Sequence, residues 1–281
     1  MASIKIAAIL RAAAYSPNHI GNDAAILNLT CEQLRKRGCM VKVYSEEQLA
    51  AGAVGERNVI HMCRDLRSFP LLQAMEDDGR LVINSGYGVE NCVRERMARI
   101  LIGSGIPYPE SIMVDTNQIV TRRLDALGIT RAWIERGEQY AMHKEDVTYV
   151  RHSEEAQEML QEYFLRDIRR AITNRHIDGE KLKFYGVAGT DYFYMSYPRL
   201  ADPLAPAVAG FDPEAFRATC ARAAEALDIM IYGGDAIVHP DGTFTLVDFN
   251  DWPTFAPCRT EASAVIARAV LARIKARNAM N

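Results

Sequence analysis

The stretch "TLVDFNDWP", residues 245–253, ends an apolar run with two oxygen donors, Asp248 and Asn250. Residues two apart in a β-strand point to the same face of the sheet, so these two side chains are expected to share a face. Upstream, the sequence "PDGT" (240–243) is typical of a hairpin turn. A two-residue Asp-Gly turn would place Asp235 directly opposite Asp248, whereas a three-residue turn would weaken that register.

Three hard oxygen donors in one place predict a metal site. Two carboxylates that face each other across neighbouring strands repel, and their burial is unfavourable unless a proton or a cation neutralises them. Mg²⁺ is usually held by one or two carboxylates together with substrate phosphates, and Mn²⁺ takes similar ligands. We therefore predict that Asp235, Asp248 and Asn250 hold Mg²⁺, or Mn²⁺, together with a nucleotide. The alternative is that Asp248 and Asn250 begin a turn with Asp251, and that Asp235 is a solvated residue.

Composition narrows the class of protein. A chain of 281 residues with 49% hydrophobic residues has enough apolar side chains for a large core. Its net charge of -3 gives no general attraction to nucleic acids or anionic membranes, so we expect neither as a partner. The six cysteines show no CxxC pair or zinc-like spacing and are predicted to be reduced thiols.

No apolar stretch approaches the ~20 residues that span a bilayer, and we predict a cytoplasmic enzyme with a small-molecule substrate. The oligomeric state is left open.

The first third of the chain alternates short apolar runs with helical patterns, which is typical of βαβ units and a parallel sheet. Buried strands are predicted at 4–10, 40–44, 58–62 and 81–84. A helix is predicted at about 23–37, and a single helix over the segment "VENCVRERMARILIGSG" (89–105). Together these elements predict an N-terminal doubly wound domain, residues 1–105.

Two further units are predicted beyond this domain. The segment "GIPYPES" (105–111) contains two prolines and interrupts the pattern, which indicates a boundary or hinge. Residues 106–175 combine short strands with a helix at 153–170 and are expected to form a small α+β domain that could move as a lid. Residues 176–281 carry two β-rich runs, a helix at 212–227, a hairpin and a closing helix, as expected for a mixed sheet. The predicted fold class is α/β.

The last strands, with an acid at 235 and the acid-x-Asn pattern of Asp248 and Asn250, resemble those of the ATP-grasp superfamily, in which these positions are metal ligands. The resemblance covers nearly the whole chain, because the family has an N-terminal doubly wound domain, a small ATP-covering domain and a C-terminal mixed sheet in that order. The final motif is fairly specific, and the rest is supportive. The resemblance implies the ATP-grasp fold, with ATP and Mg²⁺ as cofactors.

The segment "ITNRHIDGEKLKFYGV" (172–187) stands where these enzymes have the hinge strand that contacts adenine through backbone groups. The resemblance implies that the adenine is lined by Arg175, His176 and Ile177. It implies further that Asp178 faces the adenine or the ribose, and that Lys183 neutralises the transferring phosphate. The alternatives are that Lys183 is an outward residue of an alternating strand and that His176 is a packed or surface histidine.

The small domain departs from the family pattern. The family's phosphate-binding lysine falls in "AWIERGEQ", where Arg136 is the candidate substitute. The loop that follows lacks the usual run of small residues and offers His143 and Lys144, which are either phosphate contacts or solvated loop residues. Arg94 and Arg96 stand where a first-domain basic residue of the family reaches ATP. Since residues two apart do not share a helix face, one of them is expected to be solvated.

Arginines follow the strands that would border a substrate site, because ligands of open α/β sheets bind at the carboxyl ends of the strands. Arg11 follows the first strand, Arg64 follows the third, and Arg259 begins the last helix. A guanidinium group suits carboxylate or phosphate by its fork geometry, so we predict an anionic substrate. The alternative for each is an ordinary surface arginine. Asp251, directly after the metal motif, is predicted to line the path from the metal to the acceptor.

The resemblance implies an ATP-dependent ligase, in which a carboxylate takes the γ-phosphoryl group to form an acyl phosphate and an amine displaces the phosphate. Lys183 and Asn250 are its predicted catalytic residues, and no protein nucleophile is required. The alternative is a kinase on the same scaffold, because "LVDFNDWPTF" also resembles ATP-grasp inositol-trisphosphate kinases, with Asn followed by two residues and Pro. A non-catalytic nucleotide-binding module is a third alternative. A dehydrogenase is disfavoured because no GxGxxG pattern follows the first strand.

Overall fold

Three sheets organise the protein in the order in which their strands occur along the chain. The computed structural model describes residues 3–15, 20–138, 143–199 and 208–280, apart from the side chains of residues 20, 22, 144 and 280. Within these residues, the strands form three sheets of four strands each. Each sheet draws its strands from one of the ranges predicted as domains, 1–105, 106–175 and 176–281.

The first sheet is parallel, as predicted from its alternation of short apolar strands and helices. It consists of β1 Lys5–Ile9, β2 Met40–Tyr44, β3 Asn58–His61 and β4 Leu81–Ile83, in the order β2-β1-β3-β4. The accompanying helices are a short 3-10 turn, Ala13–Tyr15, and α1 Ile20–Lys36, α2 Glu46–Ala50 and α3 Phe69–Asp77. The carboxyl ends of the parallel strands lie along one edge of the sheet, where Arg11 and Arg64 follow β1 and β3.

The second sheet is antiparallel and has its core on one face. It consists of β5 Ser111–Asp115, β6 Ala132–Arg136, β7 Val147–Val150 and β8 Arg170–Arg175, in the order β5-β8-β6-β7. The helices of this unit are a 3-10 turn, Lys144–Asp146, and α6 Thr121–Ala126 and α7 Ser153–Leu165. Ile134 of β6 and Leu160 of α7 belong to the core between sheet and helices. The alternate residues of β6, Trp133 and Glu135, therefore face away from that core.

The third sheet is antiparallel throughout. It consists of β9 Glu180–Val187, β10 Phe193–Ser196, β11 Ile231–Val238 and β12 Phe244–Asp251, in the order β10-β9-β11-β12. Its core is shared with α4 Gly86–Asn91, α5 Arg94–Gly103 and α8 Pro213–Ala226. Met97, Phe184 and Phe216 are fully buried in this core. Two helices from the predicted range 1–105, α4 and α5, thus contribute to the core of the third sheet.

Two helices differ from their predicted extents. The helix predicted over 89–105 is divided into α4 and α5, because Val93 takes an extended backbone, φ -62° and ψ 132°, which suits a β-branched residue. Arg94 is therefore the first residue of α5. Helix α7 ends at Leu165, short of the predicted 170, because Asp167 takes a left-handed backbone with φ 62°.

The last helix, α9 Arg259–Met280, follows the third sheet in the chain and packs against both α1 and β9. Its buried residues Ile266 and Val270 belong to the same core as Ile26 and Leu27 of α1. The core of the first sheet therefore contains residues from both ends of the described chain. No helix in the described ranges is both long enough and apolar enough to pass through a membrane.

Candidate functional site

Asp235 of β11 lies opposite Asp248 of β12, which confirms the predicted pairing. The predicted two-residue turn is wrong, because the N–H of His239 donates to the carbonyl of Thr243 at 2.8 Å and leaves three residues in the loop. That loop alone would shift the pairing by one residue. A β-bulge at Val247 adds a residue to β12 and restores it. Two departures from the simple hairpin therefore cancel.

Asp248 and Asn250 share a face of β12, as predicted. The Nδ2 of Asn250 donates to Oδ2 of Asp248 at 2.5 Å. Both side chains are partly exposed, whereas the alternate residues Phe249 and Asp251 are each 1% exposed. The three predicted ligands thus lie together on the open face of the third sheet.

Two lysines of β9 neutralise Asp235. Lys183 lies directly opposite Asp235 in the sheet, and its Nζ is 2.7 Å from Oδ1. Lys181, two residues earlier and on the same face, places its Nζ 2.8 Å from Oδ2. Burial acts to lower the pKa of Lys183, but Asp235, with smaller contributions from Tyr185 and Asp248, leaves that pKa above its ordinary value, so the ammonium group stays charged. Sequence analysis missed Lys181, although its spacing of two from Lys183 was a readable signal.

Arg94 neutralises Asp248 and connects two sheets. Its Nη1 is 2.6 Å from Oδ1 of Asp248, and its Nε is 2.9 Å from Oε2 of Glu135 on β6. Burial opposes the charge of Arg94, but Glu135 and Asp248 outweigh burial and raise its pKa above the usual value. Burial likewise acts to raise the pKa of Asp248, but Arg94 and Asn250 together leave that pKa below its ordinary value. Arg94 and Asp248 are therefore both charged.

The other two predicted cations near this point have different surroundings. Arg64 reaches the site, since its Nη2 donates to Oδ1 of Asn250 at 3.3 Å and its Nε is 3.6 Å from Oδ1 of Asp251. Arg96 instead pairs with Glu90 at 2.9 Å, and half of its side chain is exposed. Of the two arginines at the start of α5, Arg94 thus faces the site and Arg96 is solvated.

The predicted metal ligands have the right chemistry for Mg²⁺, and each has a protein partner. Their oxygens contact the cationic groups of Lys181, Lys183, Arg94 and Arg64. The protein itself thus supplies the cations that two facing carboxylates require, so their burial does not by itself call for a metal ion. Within the described part of the chain, no group of three or more His, Cys, Asp or Glu side chains is placed to hold a metal ion. The predicted set combines two carboxylates with one amide, and the adjacent cations match the phosphates that accompany Mg²⁺. The residues therefore fit a Mg²⁺-nucleotide better than a metal ion alone.

The side chain of Arg175 binds protein groups. Its Nε and Nη2 donate to Oε2 of Glu110 at 3.0 and 2.6 Å, and Nη1 and Nη2 donate to the carbonyls of Gly128 and Leu127 at 2.9 and 2.7 Å. These bonds tie β8 to the chain before β5 and to the end of α6. Because all three nitrogens have protein acceptors, the guanidinium of Arg175 has a structural role, and the contact of its backbone with adenine stays a prediction.

His176 belongs to an aromatic wall at the end of β8. Its Nδ1 accepts a hydrogen bond from Nε1 of Trp133 at 3.1 Å, and its ring meets that of Tyr149 at 5.1 Å. Asp178 forms an ion pair with Arg131, and its Oδ1 is 3.2 Å from Nε2 of His176. Trp133 and Tyr149 were missed by sequence analysis, although both lie in alternating strands. The adenine and ribose roles of His176, Asp178 and the partly buried Ile177 stay predictions.

Two arginines of the second unit, Arg136 and Arg166, contact the buried carboxylate of Asp146. Nη1 of Arg136 is 3.9 Å from Oδ2 of Asp146, whose side chain is fully buried and also contacts Arg166 at 2.5 Å. The Nε of Arg136 is buried without a hydrogen-bond partner among the described residues. Lys144 begins a 3-10 turn, and its side chain lies outside the described residues, while His143 is exposed. Phosphate contacts by Arg136 and Lys144 stay predictions.

The side chain of Arg11 contacts protein groups at the positions where a substrate contact was predicted. Its Nη1 pairs with Asp23 at 2.9 Å, and its Nε and Nη2 donate to the carbonyls of Met62 and Trp252 at 3.1 and 3.3 Å. The side chain is 5% exposed, so Arg11 ties β1 and α1 to the ends of β3 and β12. Arg259 donates to the carbonyl of Thr254 at 3.4 Å and is partly exposed, and its substrate role stays a prediction.

A separate cavity of about 1190 Å³ opens at the far end of β9 from Lys183. Its walls include Asn84, Tyr87, Arg217 and Arg268, together with acids such as Asp228. It contains none of the predicted site residues and mixes both signs of charge. The side chains that converge on one point are those in the middle of β9, β11 and β12.

No family model matches the chain, and no curated protein matches it in sequence. Solved structures match it over nearly its whole length. D-alanine–D-alanine ligase from Bacillus anthracis, complexed with ATP, has a TM-score of 0.75 at 15% identity, covering 98% of this chain and 99% of the ligase. A RimK domain ATP-grasp protein from Sphaerobacter thermophilus has a TM-score of 0.71 at 17% identity, with 95% and 99% covered. For D-cycloserine synthetase the TM-score is 0.69 at 15% identity, with 96% and 99% covered.

At these identities the likeness is one of fold. It extends over all three sheets, since each match covers at least 95% of the chain. The predicted α/β class and the resemblance in fold inferred from the last strands are therefore confirmed. The protein has the ATP-grasp fold.

Proposed function

We propose that the protein is a Mg²⁺-ATP-dependent ligase that activates a carboxylate as an acyl phosphate and passes the acyl group to an amine. The observation that carries this proposal is the cluster of charges where β9, β11 and β12 meet. Asp235, Asp248 and Asn250 offer hard oxygens there, and Lys183 and Arg94 lie within 2.7 Å of the two carboxylates. In an ATP-grasp fold, such a cluster suits a metal-bound triphosphate.

The reaction needs no nucleophile from the protein. A carboxylate oxygen of the substrate attacks the γ-phosphorus, the bond from that phosphorus to the β–γ bridging oxygen breaks, and ADP leaves. The amine nitrogen then attacks the acyl carbon, phosphate leaves, and the nitrogen loses a proton. When bound, Mg²⁺ neutralises phosphate charge, and the ligands proposed for it are Asp235, Asp248 and Asn250. Lys183 and Arg94 stabilise the charge that develops on the transferring phosphoryl group.

The exchange of partners keeps every charge at this site compensated. Lys181 and Lys183 each contact one oxygen of Asp235. Where a metal-bound phosphate binds, Lys183 would turn to a phosphate oxygen, while Asp235 would face the metal and keep Lys181 as its partner. No buried charge is left unpaired at any stage, which keeps the desolvation cost of binding low.

The substrate acid is proposed to lie beside Arg64. This guanidinium contacts both Asn250 of the metal set and Asp251, so it stands between the phosphate site and the next residues of the chain. A guanidinium fork suits an anionic substrate, and Asp251, which is 1% exposed, pairs with Arg64 from the buried side. Arg259, at the start of α9, is the second proposed contact for the anion.

The named relatives in fold support a ligase over a kinase. Those with names that state a reaction are a D-alanine–D-alanine ligase and a D-cycloserine synthetase. A screen of carboxylates and amines should therefore yield ADP and phosphate, and hydroxylamine should trap the activated acid as a hydroxamate. Formation of AMP would refute the mechanism. A phosphorylated product that needs no amine would instead identify the kinase.

Binding tests the site before any substrate is known. Asp248→Asn should weaken the affinity for ADP in the presence of Mg²⁺ at least about tenfold, or about 1.4 kcal/mol. Asp241→Asn is the matched control, because Asp241 lies in the turn of the same hairpin, exposed and bonded to Thr243. Equal affinities in both variants and the wild type would show that Asp248 takes no part in nucleotide binding.

A further inference from the structure

The guanidinium of Arg94 is shared by two carboxylates that belong to different sheets. Asp248 lies on the third sheet, and Glu135 lies on the second. Arg94 itself is the first residue of α5, and its side chain is 18% exposed. This one cation thus joins a helix and two sheets at the point where the phosphates are proposed to bind.

Glu135 is fixed from behind by a chain of hydrogen bonds. Its Oε2 faces Arg94 at 2.9 Å, and its Oε1 accepts from Nδ2 of Asn174 at 2.7 Å. The Oδ1 of Asn174 in turn accepts from Oγ of Ser111 at 2.6 Å. Both carboxylate oxygens are used, and Glu135 is only 6% exposed, so this side chain has one orientation. Its partner Arg94 is held accordingly.

Asp248 is the carboxylate for which Arg94 and a metal ion compete. Its Oδ1 contacts Arg94 at 2.6 Å, so a metal ion bound there draws Asp248 away from the guanidinium. A cation with little solvent access is strongly disfavoured if it loses its only anion. Glu135 is the second anion that remains with Arg94 when Asp248 turns to the metal.

We propose that Glu135 is a positioning residue that retains Arg94 while Asp248 binds Mg²⁺, and that it thereby sets the metal dependence of nucleotide binding. This inference rests on the Mg²⁺-nucleotide site of the proposed function. Without Glu135, Arg94 depends on Asp248 alone, and the metal ion has to break that remaining pair. The loss of one negative charge also favours a nucleotide that carries no metal.

The two effects of Glu135→Gln therefore have opposite signs. The Mg²⁺ concentration that gives half of the maximal gain in ADP affinity should rise about tenfold, equivalent to about 1.4 kcal/mol. The affinity for ADP in excess chelator should stay the same or increase. A residue that only holds the sheets together would weaken both affinities in parallel.

Glu95→Gln is the matched control. Glu95 is the next residue of α5, and it pairs with Arg170 of β8 and Arg99, at 2.6 and 2.8 Å. Its substitution removes one negative charge and one contact between α5 and the second sheet, but leaves Arg94 untouched. Both measured affinities should match those of the wild type.

The experiment is calorimetric titration of the full chain with ADP, in chelator and at stepped Mg²⁺ concentrations. Glu135→Asp, which keeps the charge, should restore most of the wild-type metal dependence. If Glu135→Gln does not fold, Asn174→Ala frees Glu135 from its donor and should raise the Mg²⁺ requirement several-fold. The inference is overturned if Glu135→Gln matches Glu95→Gln, or weakens both affinities equally. A wild-type chain that binds no ADP with or without Mg²⁺ would instead overturn the proposed function.

Discussion

Lys183→Met should separate the structural role of the lysine pair on β9 from its role in phosphoryl transfer. Asp235 has two ammonium partners, Lys183 at 2.7 Å and Lys181 at 2.8 Å, so the substitution leaves one in place. The side chain of Lys183 is 39% exposed, and a pair with that much solvent contributes less than about 1 kcal/mol to stability. For a chain of this size the unfolding midpoint should fall by no more than about 4 °C.

The expected loss of activity is much larger than the loss of stability. Removal of one preorganised donor to a developing anionic charge typically costs about 10² to 10³ in kcat, or about 3 to 4 kcal/mol. The assay is ADP formation coupled to NADH oxidation, with the unfolding midpoint measured on the same preparations. Lys181→Met is the matched control, because it removes an ammonium group from the same carboxylate. Lys181 lies opposite Ile237, two residues nearer the hairpin loop than the partner of Lys183. An unchanged kcat in Lys183→Met, or a midpoint lowered by more than about 8 °C, would refute the assignment of Lys183 to the transferring phosphate.

Three further outcomes follow from the structure. Arg11→Met removes the 2.9 Å partner of Asp23, in a pair whose side chains are 5% and 4% exposed, and should lower the free energy of unfolding in urea by about 3 to 5 kcal/mol. Burial lowers the pKa of His61 to about 4 from 6.5, so its contribution to stability is complete above pH 6.5 and is lost as the pH falls towards 4. That loss amounts to at most about 3 kcal/mol, and His61→Gln should flatten this part of the stability curve. Trp133 is 37% exposed beside His176 while Trp252 is fully buried, so a change in tryptophan fluorescence on ADP binding should disappear in Trp133→Phe. Persistence of the signal in that variant would place the adenine elsewhere.

Local patterns predicted the sheets well because the apolar pattern of a few consecutive residues is enough to predict each strand. The pairing of Asp235 with Asp248 was also predicted, but through two errors that cancel, since neither the three-residue loop nor the bulge at Val247 is evident from turn residues alone. Loop length and bulges depend on how the whole strand packs. The break at Val93 was missed for the same reason, because a helical apolar spacing runs through it.

The spacing of residues along the sequence could not predict contacts between residues that are far apart in the chain. Glu135 and Arg94 lie on different units, and only the fold brings their atoms to 2.9 Å. The arginines illustrate the same limit, because residue type does not distinguish one that binds a ligand from one that binds the chain. Arg64 reaches the site, whereas the guanidinium groups of Arg11 and Arg175 donate their hydrogen bonds to protein carbonyls and carboxylates.

The position of α9 across α1 also determines the order in which the chain can finish folding. The strands of the first sheet are synthesised early, but the core beneath α1 includes Ile266 and Val270, which leave the ribosome among the last described residues. Until then the apolar residues of α1 that pack against α9 stay uncovered, and exposed apolar surface of this kind favours aggregation. Completion of the core of the first unit therefore has to wait for α9, which follows the last strand of the third sheet.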